Sequence, residues 1–312
     1  MKQEKRNLPA SVTARLLNRA RQTGDDFQML LTSFCLERFL YRLGVSSTRT
    51  RFVLKGAMLL RLWSEKPYRA TRDLDLLRQG DGSFTAIRAD IETICSTPVE
   101  PDGVVFDPTA LRIEAIRAED ESAGTRADLP ARCGTARLIL QIDMGLGDSV
   151  WPPPQPCAYP ALLDFPSPTI LAYPPETVIA EKIESIVVLG DRNSRIKDFF
   201  DLHHLANRFE FDRATLTEAI RRTFERRRTP VPTEEPIGLT RAYWENASRA
   251  PHVRAFARRA GLTVAADPAA EILSALRPFL LPILDDLHRV HATPGTWAPG
   301  GPWRSQKESH EL

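Results

Sequence analysis

The sequence predicts an α+β protein in two parts, a sheet domain followed by a helical one. Three observations predict it. Short apolar runs alternate with helical stretches as far as Met144. Nine prolines then crowd into residues 151–175, which excludes regular structure there beyond short extended pieces. From Glu176 to Val290 the apolar spacing is helical almost without a break. With 312 residues, 42% of them hydrophobic, the chain can bury a real core in each part. The boundaries read 1–45 for N-terminal helices packing on the core, 46–165 for the sheet domain and 166–292 for the helical domain. Residues 293–312, Gly/Pro-rich and polar, are expected to be disordered.

In order, Ser11 or Thr13 can cap a first helix, and Gly24-Asp25-Asp26 breaks it from a second. In that second helix Met29, Leu30, Phe34, Leu36, Phe39, Leu40 and Leu43 recur at helical spacing, and Gly44 fits its C-terminal end. Strands are expected at 52–54, 71–77, 104–106, 111–116 and 137–144, with helices at 57–63 and 84–95 between them. The second part reads as helices at 176–189, 195–207, 213–227, around 239–260, and 269–290.

Composition excludes several classes. No apolar run approaches the roughly 20 residues that span a bilayer. The charged start Met1-Lys2-Gln3-Glu4-Lys5-Arg6-Asn7 has no apolar stretch behind it, so a cytoplasmic protein without a membrane partner is expected. Cys35, Cys95, Cys133 and Cys157 are scattered, without CxxC or a His at ligand spacing, and read as reduced structural thiols. The formal net charge of +2 does not mark a polyanion binder. Its distribution offers three basic clusters: Lys2, Lys5, Arg6, Arg15, Arg19 and Arg21; Arg221, Arg222, Arg226, Arg227 and Arg228; and Arg249, Arg254, Arg258 and Arg259.

The chemistry concentrates at a few positions. On a strand Thr71, Asp73 and Asp75 share one face while Leu74 and Leu76 take the other. Two carboxylates about 7 Å apart along a strand can jointly hold divalent cations of the kind that accompany nucleotide phosphates. Upstream, Phe52-Val53-Leu54-Lys55-Gly56-Ala57 reads as strand, glycine, helix, a place where backbone can approach phosphate closely. Asp143 ends an apolar strand and is a candidate third metal ligand or general base. In the helical part Lys182 falls inside an apolar arc between Val178 and Ile186, with Glu181 and Glu184 facing away. Asp198 lies on the inward stripe of the next helix between Leu202 and Leu205, with Lys197 and Asp201 at its edge. A lysine on a buried face needs an anion, and Asp198 can supply it or orient the lysine toward a triphosphate. His203 and His204 are adjacent on a helix and cannot share a metal at i, i+4 spacing.

In order, these motifs run Phe52–Ala57, Thr71-Arg72-Asp73-Leu74-Asp75, Gln141-Ile142-Asp143-Met144-Gly145, Tyr173-Pro174-Pro175-Glu176-Thr177-Val178-Ile179-Ala180-Glu181-Lys182 and Arg195-Ile196-Lys197-Asp198-Phe199-Phe200-Asp201-Leu202. Together they resemble the AbiEii/AbiGii-type nucleotidyltransferase toxins, including the mycobacterial branch that modifies transfer RNA. The resemblance implies a polymerase-β-like nucleotidyltransferase sheet domain, a helical C-terminal half and an active site in the cleft between them. It implies Mg²⁺ or Mn²⁺, an NTP as substrate, and a tRNA or other RNA acceptor. A cognate antitoxin, often a winged-helix regulator, is the implied partner. Carried over by position, Asp73 and Asp75 would hold metal with Asp143, and Lys55, Gly56, Ala57 and Lys182 would meet the nucleotide. Thr71, Lys182 and Asp198 would join the catalytic set. Relatives often carry Gly-Gly or Gly-Ser where this chain has Gly56-Ala57, so no side-chain hydroxyl is offered at Ala57. The same carboxylates also fit NTP-dependent modification of a protein, or a metal-dependent nuclease.

Overall fold

The computed structural model describes residues 7–64, 71–116, 124–246, 249–259 and 267–305. Contacts divide the chain into two compact units, Met1–Gly147 with Gln155–Ala172, and Asp148–Pro154 with Tyr173–Leu312.

The first unit begins with α1 (Leu8–Thr23) and α2 (Phe27–Val45). Asn7 caps α1, accepting from the Ala10 amide, where Ser11 or Thr13 was expected. Asp26 caps α2 through the Met29 amide at 2.8 Å. Gly44 is not a C-cap, because α2 runs on through Val45. A Cβ at Gly44 would lie 3.3 Å from the Thr169 carbonyl carbon and closer still to its oxygen, so this glycine lets α2 approach the sheet.

The sheet follows: β1 (Phe52–Lys55), α3 (Leu59–Trp63), β2 (Asp73–Arg78), α4 (Phe84–Ser96), β3 (Val104–Phe106), β4 (Arg112–Ile116), β5 (Gly124–Cys133), β6 (Ala136–Leu146), β7 (Gln155–Ala158) and β8 (Thr169–Ala172). Its strand order is β3-β5-β6-β2-β1-β8-β7, with β4 also on β5. β2 runs antiparallel to β1 and parallel to β6. Strict alternation decides the faces. Leu74, Leu76, Ala127, Leu129, Ile142 and Met144 are buried, and α1 and α2 pack against this sheet at β5, β6 and β8.

The proline-crowded segment is more than a join. The chain leaves the first unit after Gly147, returns to add β7 and β8, and leaves again after Ala172. Buried charges on α2 hold the returning segment. Glu37 accepts from the Leu162 amide at 2.6 Å, and Arg38 donates to the Pro166 carbonyl at 2.8 Å. Arg42 and Asp102 form a buried bidentate pair at 2.7 and 3.1 Å.

The second unit contains α5 (Pro175–Leu189), α6 (Ile196–Arg208), β9 (Phe211–Asp212), α7 (Arg213–Arg227), α8 (Arg241–Glu245), α9 (Arg249–Arg259), α10 (Pro268–Asp286), β10 (Thr296–Trp297) and β11 (Trp303–Arg304). α5 packs on α6 and α7, and α10 on α6 and α7. The segment after 292 departs from expectation. β10 and β11 join β9 in a small sheet, and Trp297 is 2% exposed. Its indole Nε1 donates to the Ala206 carbonyl at 2.7 Å, and Trp303 stacks on Phe279 with centroids 5.9 Å apart. Two tryptophans bury enough apolar area to order a Gly/Pro-rich segment. Residues 306–312 lie outside the described residues.

Trp297→Ala is therefore expected to cost about 3–5 kcal/mol in urea unfolding. An unchanged midpoint would show that the tail contributes nothing to the helical unit.

Candidate active site

Register places the first group of site residues. Across the sheet Lys55 lies opposite Asp75, Asp75 opposite Asp143, and Asp143 opposite Arg126. One row on one face thus reads Lys55, Asp75, Asp143, Arg126 and, on β4, Glu114. The next row reads Asp73, Gln141, Asp128 and Arg112. All nine are on the face opposite the buried leucines, and none is itself buried. Thr71 donates its hydroxyl to the Asp73 carboxylate.

Gly56 completes this group. It closes β1 at φ 69°, a backbone region that suits glycine, and a Cβ there would lie 2.5 Å from Asp75 Cγ. The Asp75 carboxylate therefore occupies the space of the missing side chain. Residues 56–58 form a 3₁₀ turn and α3 spans only Leu59–Trp63, so a helix-dipole contribution to phosphate binding is small. Close backbone approach is what this turn offers a ligand. Ala57 follows Gly56 within it.

Both oxygens of Asp143 are engaged. Arg126 Nε donates to its Oδ1 at 2.8 Å and Nη2 to its Oδ2 at 2.9 Å, while Gln141 Nε2 donates to Oδ2 at 3.3 Å. The hydrogen bond to Asp143 holds the Arg126 guanidinium proton more tightly than usual. Among the described residues, no three or more His, Cys, Asp or Glu side chains gather as a metal-holding group. Asp73 and Asp75 are hard oxygen donors two residues apart, a set that fits Mg²⁺ when nucleotide oxygens and water supply the remaining ligands.

The second group lies in the helical unit. Lys182 Nζ is 2.6 Å from Asp198 and 2.7 Å from Asp201, with side chains 16%, 7% and 3% exposed. Asp201, expected at the edge of its stripe, is buried on the lysine. Burial would raise the Asp198 carboxyl, but the Lys182 charge and hydrogen bond overturn this and hold it below the ordinary range. Burial pushes Asp201 well up. Glu184, read as facing away, is buried too: Arg227 Nη1 donates to it at 2.7 Å, and the Thr229 hydroxyl also donates to it. Arg227 further meets Glu181 and Asp148 at 3.5 Å each. The pairing partner on α7 is far away in sequence, so no pattern within α5 could have found it.

The basic clusters divide accordingly. Arg227 and Arg249 are internal, the latter paired with Asp191 at 2.9 Å and lying over the Tyr243 ring at 3.8 Å. Arg221 and Arg222 pair with Glu218. Arg19 donates to the Leu162 carbonyl at 2.6 Å, and Arg15 lies over the Phe165 ring. Arg226, Arg228, Arg254 and Arg258 are exposed. Lys2, Lys5 and Arg6 lie outside the described residues, as does the Arg259 side chain.

The two buried aspartates should titrate in opposite senses. Asp198, with its lowered pKa, contributes stability that is present above its ordinary range and lost as pH falls through the folded value. Asp201, with a raised pKa, favours the fold at low pH and loses that contribution as pH rises. At pH 7 Asp198→Asn is expected to cost about 1–3 kcal/mol, a deficit that narrows in acid. Asp201→Asn is expected to cost less at pH 7 than at pH 4. Urea unfolding across pH reads this, and equal, pH-independent losses would refute it.

Comparison with known proteins places these features. No curated protein sequence matches the chain. JHP933 from Helicobacter pylori aligns over 84% of this chain and 94% of its own, at 14% identity and TM-score 0.44. A second Helicobacter pylori protein, described as a candidate nucleotidyltransferase, covers 84% and 97%, at 15% identity and TM-score 0.43. Residues 38–275 match the family described as nucleotidyl transferase AbiEii toxin, type IV TA system. A mixed sheet followed along the chain by a helical bundle is the arrangement of the polymerase-β-like nucleotidyltransferases. No helix among the described residues is long and apolar enough to cross a membrane. With most of its length inside that match, the chain belongs to the AbiEii nucleotidyltransferase toxin family.

Proposed function

We propose that this protein moves a nucleoside monophosphate from an NTP to RNA, with the 3′ end of tRNA as acceptor, and thereby blocks aminoacylation and translation in the cytoplasm. One observation carries the reading: Asp73 and Asp75 share the open face of β2, with Gly56 packed against Asp75 where a ligand can meet backbone. Asp73 and Asp75 would hold Mg²⁺ or Mn²⁺, which supplies charge neutralisation for the transferring phosphoryl group. Lys55, Gly56 and Ala57 bind the nucleotide at the end of β1. The Lys182 ammonium neutralises triphosphate charge, and Asp198 orients it. Thr71 orients Asp73 through its hydroxyl. The acceptor hydroxyl oxygen bonds to the α-phosphorus as the bond to pyrophosphate breaks, and its proton passes to a carboxylate of the β2 face. The exposed Arg226, Arg228, Arg254 and Arg258 support an RNA acceptor through its phosphates. The protein partner is a cognate antitoxin, a winged-helix regulator in this reading.

Incubation with each labelled NTP and total RNA tests the proposal. Label is expected in tRNA. Label in protein, or RNA cleavage without label, would replace it with protein modification or nuclease action. Asp73→Asn and Asp75→Asn are each expected to abolish transfer while melting near the wild type, and EDTA should do the same. Full activity in any of these removes the metal from the mechanism.

Lys182→Met should slow transfer by at least about 100-fold, an electrostatic loss of about 3 kcal/mol. The double variant Lys182→Met, Asp198→Leu should be folded and inactive. An active double variant would reduce the pair to a structural role.

A further inference from the structure

Arg126 sits on β5 between Asp143 of β6 and Glu114 of β4, and its hydrogen bonding is unequal to that of Asp143. Asp143 has both oxygens engaged, by Nε at 2.8 Å, by Nη2 at 2.9 Å and by Gln141 at 3.3 Å. A metal ion at Asp143 would have to compete with a charge-assisted bidentate pair. The guanidinium has five N–H donors, and Asp143 engages only two. Nη1 has no hydrogen-bond partner among the described residues, although the Asp128 and Glu114 carboxylates also act on the guanidinium, and the side chain is 33% exposed. Strands lie about 4.8 Å apart, so the Arg126 backbone stands two strands, or roughly 10 Å, from Asp75. The Arg126 side chain covers part of that distance, since its guanidinium lies on Asp143 of the intervening strand.

Charge on this face also calls for a cation. Asp73, Asp75, Asp128 and Asp143 all face the same way, and a triphosphate brought to them is repelled unless positive groups meet it. Lys55 stands at one end of the row, and Arg126 is the cation between Asp143 and Glu114 nearer the other. A planar fork fixed along one edge presents the other in a set orientation, which suits phosphate oxygens.

We infer that Arg126 is a nucleotide-contact residue: Asp143 positions its guanidinium, and the free edge takes a phosphate oxygen of the NTP held at the Asp73–Asp75 face. This rests on the nucleotidyl-transfer reading above. Asp143 acts here as a positioning residue, through Arg126, and not as the third metal ligand.

The test is equilibrium binding of fluorescent nucleoside triphosphates, of all four bases, with the corresponding monophosphates as controls, at several Mg²⁺ concentrations. Arg126→Gln should raise the triphosphate Kd about tenfold and change the monophosphate Kd far less. Arg126→Lys, which keeps the charge without the fork, should recover part of that loss and guards against a folding defect in the first variant. Asp143→Asn should weaken triphosphate binding as Arg126→Gln does, with the half-saturating Mg²⁺ concentration within about twofold of wild type. Two results overturn the inference while leaving the nucleotidyl-transfer reading intact. One is a wild-type triphosphate Kd in Arg126→Gln. The other is opposite metal shifts, with Asp143→Asn needing more Mg²⁺ and Arg126→Gln less, which would assign Asp143 to the metal and Arg126 to competing for it. A wild-type protein that binds no nucleotide removes both.

Discussion

Register in the middle of the sheet governs the placement of the first unit's charged side chains. β2 is paired on both sides, with β1 and with β6, and its alternate residues Leu74 and Leu76 are buried with Ile142 and Met144 of the neighbouring strand. Slipping β2 by one residue would turn Asp73 and Asp75 into that core. Burying a leucine contributes about 1.5–3 kcal/mol, and an unpaired buried carboxylate costs more, so the apolar face sets the position of the polar one. Gly56 depends on the same register. Its missing Cβ is space that Asp75 fills only because Lys55 and Asp75 are paired.

Some of this was legible in the sequence. β2 alternates from Asp73 to Leu76, and its two aspartates can be assigned to one face without knowing any partner strand. β5 is different. Its buried positions are Thr125, Ala127, Leu129, Ala131 and Cys133, mostly small, and Pro130 interrupts the pattern. Nothing in that run announces a ten-residue strand. With β5 unseen, Arg126 has no address, and Asp143 reads as a free carboxylate when it is half of a bidentate pair. The strands β7 and β8 escaped for a related reason. Each is four residues long among prolines; β8 is placed by β1 and β7 by β8, and Glu37 and Arg38 of α2 hold the connection between them.

The helical unit shows the limit of periodicity. A lysine inside an apolar arc is conspicuous, so Lys182 and the inward Asp198 could be found from spacing alone. Asp201 could not, because α6 is covered by α5, α9 and α10 and its buried surface is wider than a single stripe. Composition misled at the C-terminal segment, where glycine and proline outvoted Trp297, which the fold buries beside Phe279 and Ala206, and Trp303, which stacks on Phe279.

Two buried cations on neighbouring helices make different use of the same kind of surroundings. Arg227 keeps its charge at any physiological pH and sits among Glu181, Glu184 and Asp148. Burial alone would loosen its proton, but those three carboxylates outweigh burial. Its fork bonds α7 to α5 and to the segment that follows β6, a permanent tie. Lys182 is a point charge on a flexible stem, shared by two aspartates whose protons are shifted in opposite directions. One of them is held ionised by the lysine, and the other is driven by burial toward its neutral form. The residue best able to give up part of its internal partnership is therefore the lysine and not the arginine. That difference in side-chain chemistry is what separates a candidate catalytic cation from a structural one on the same helix pair.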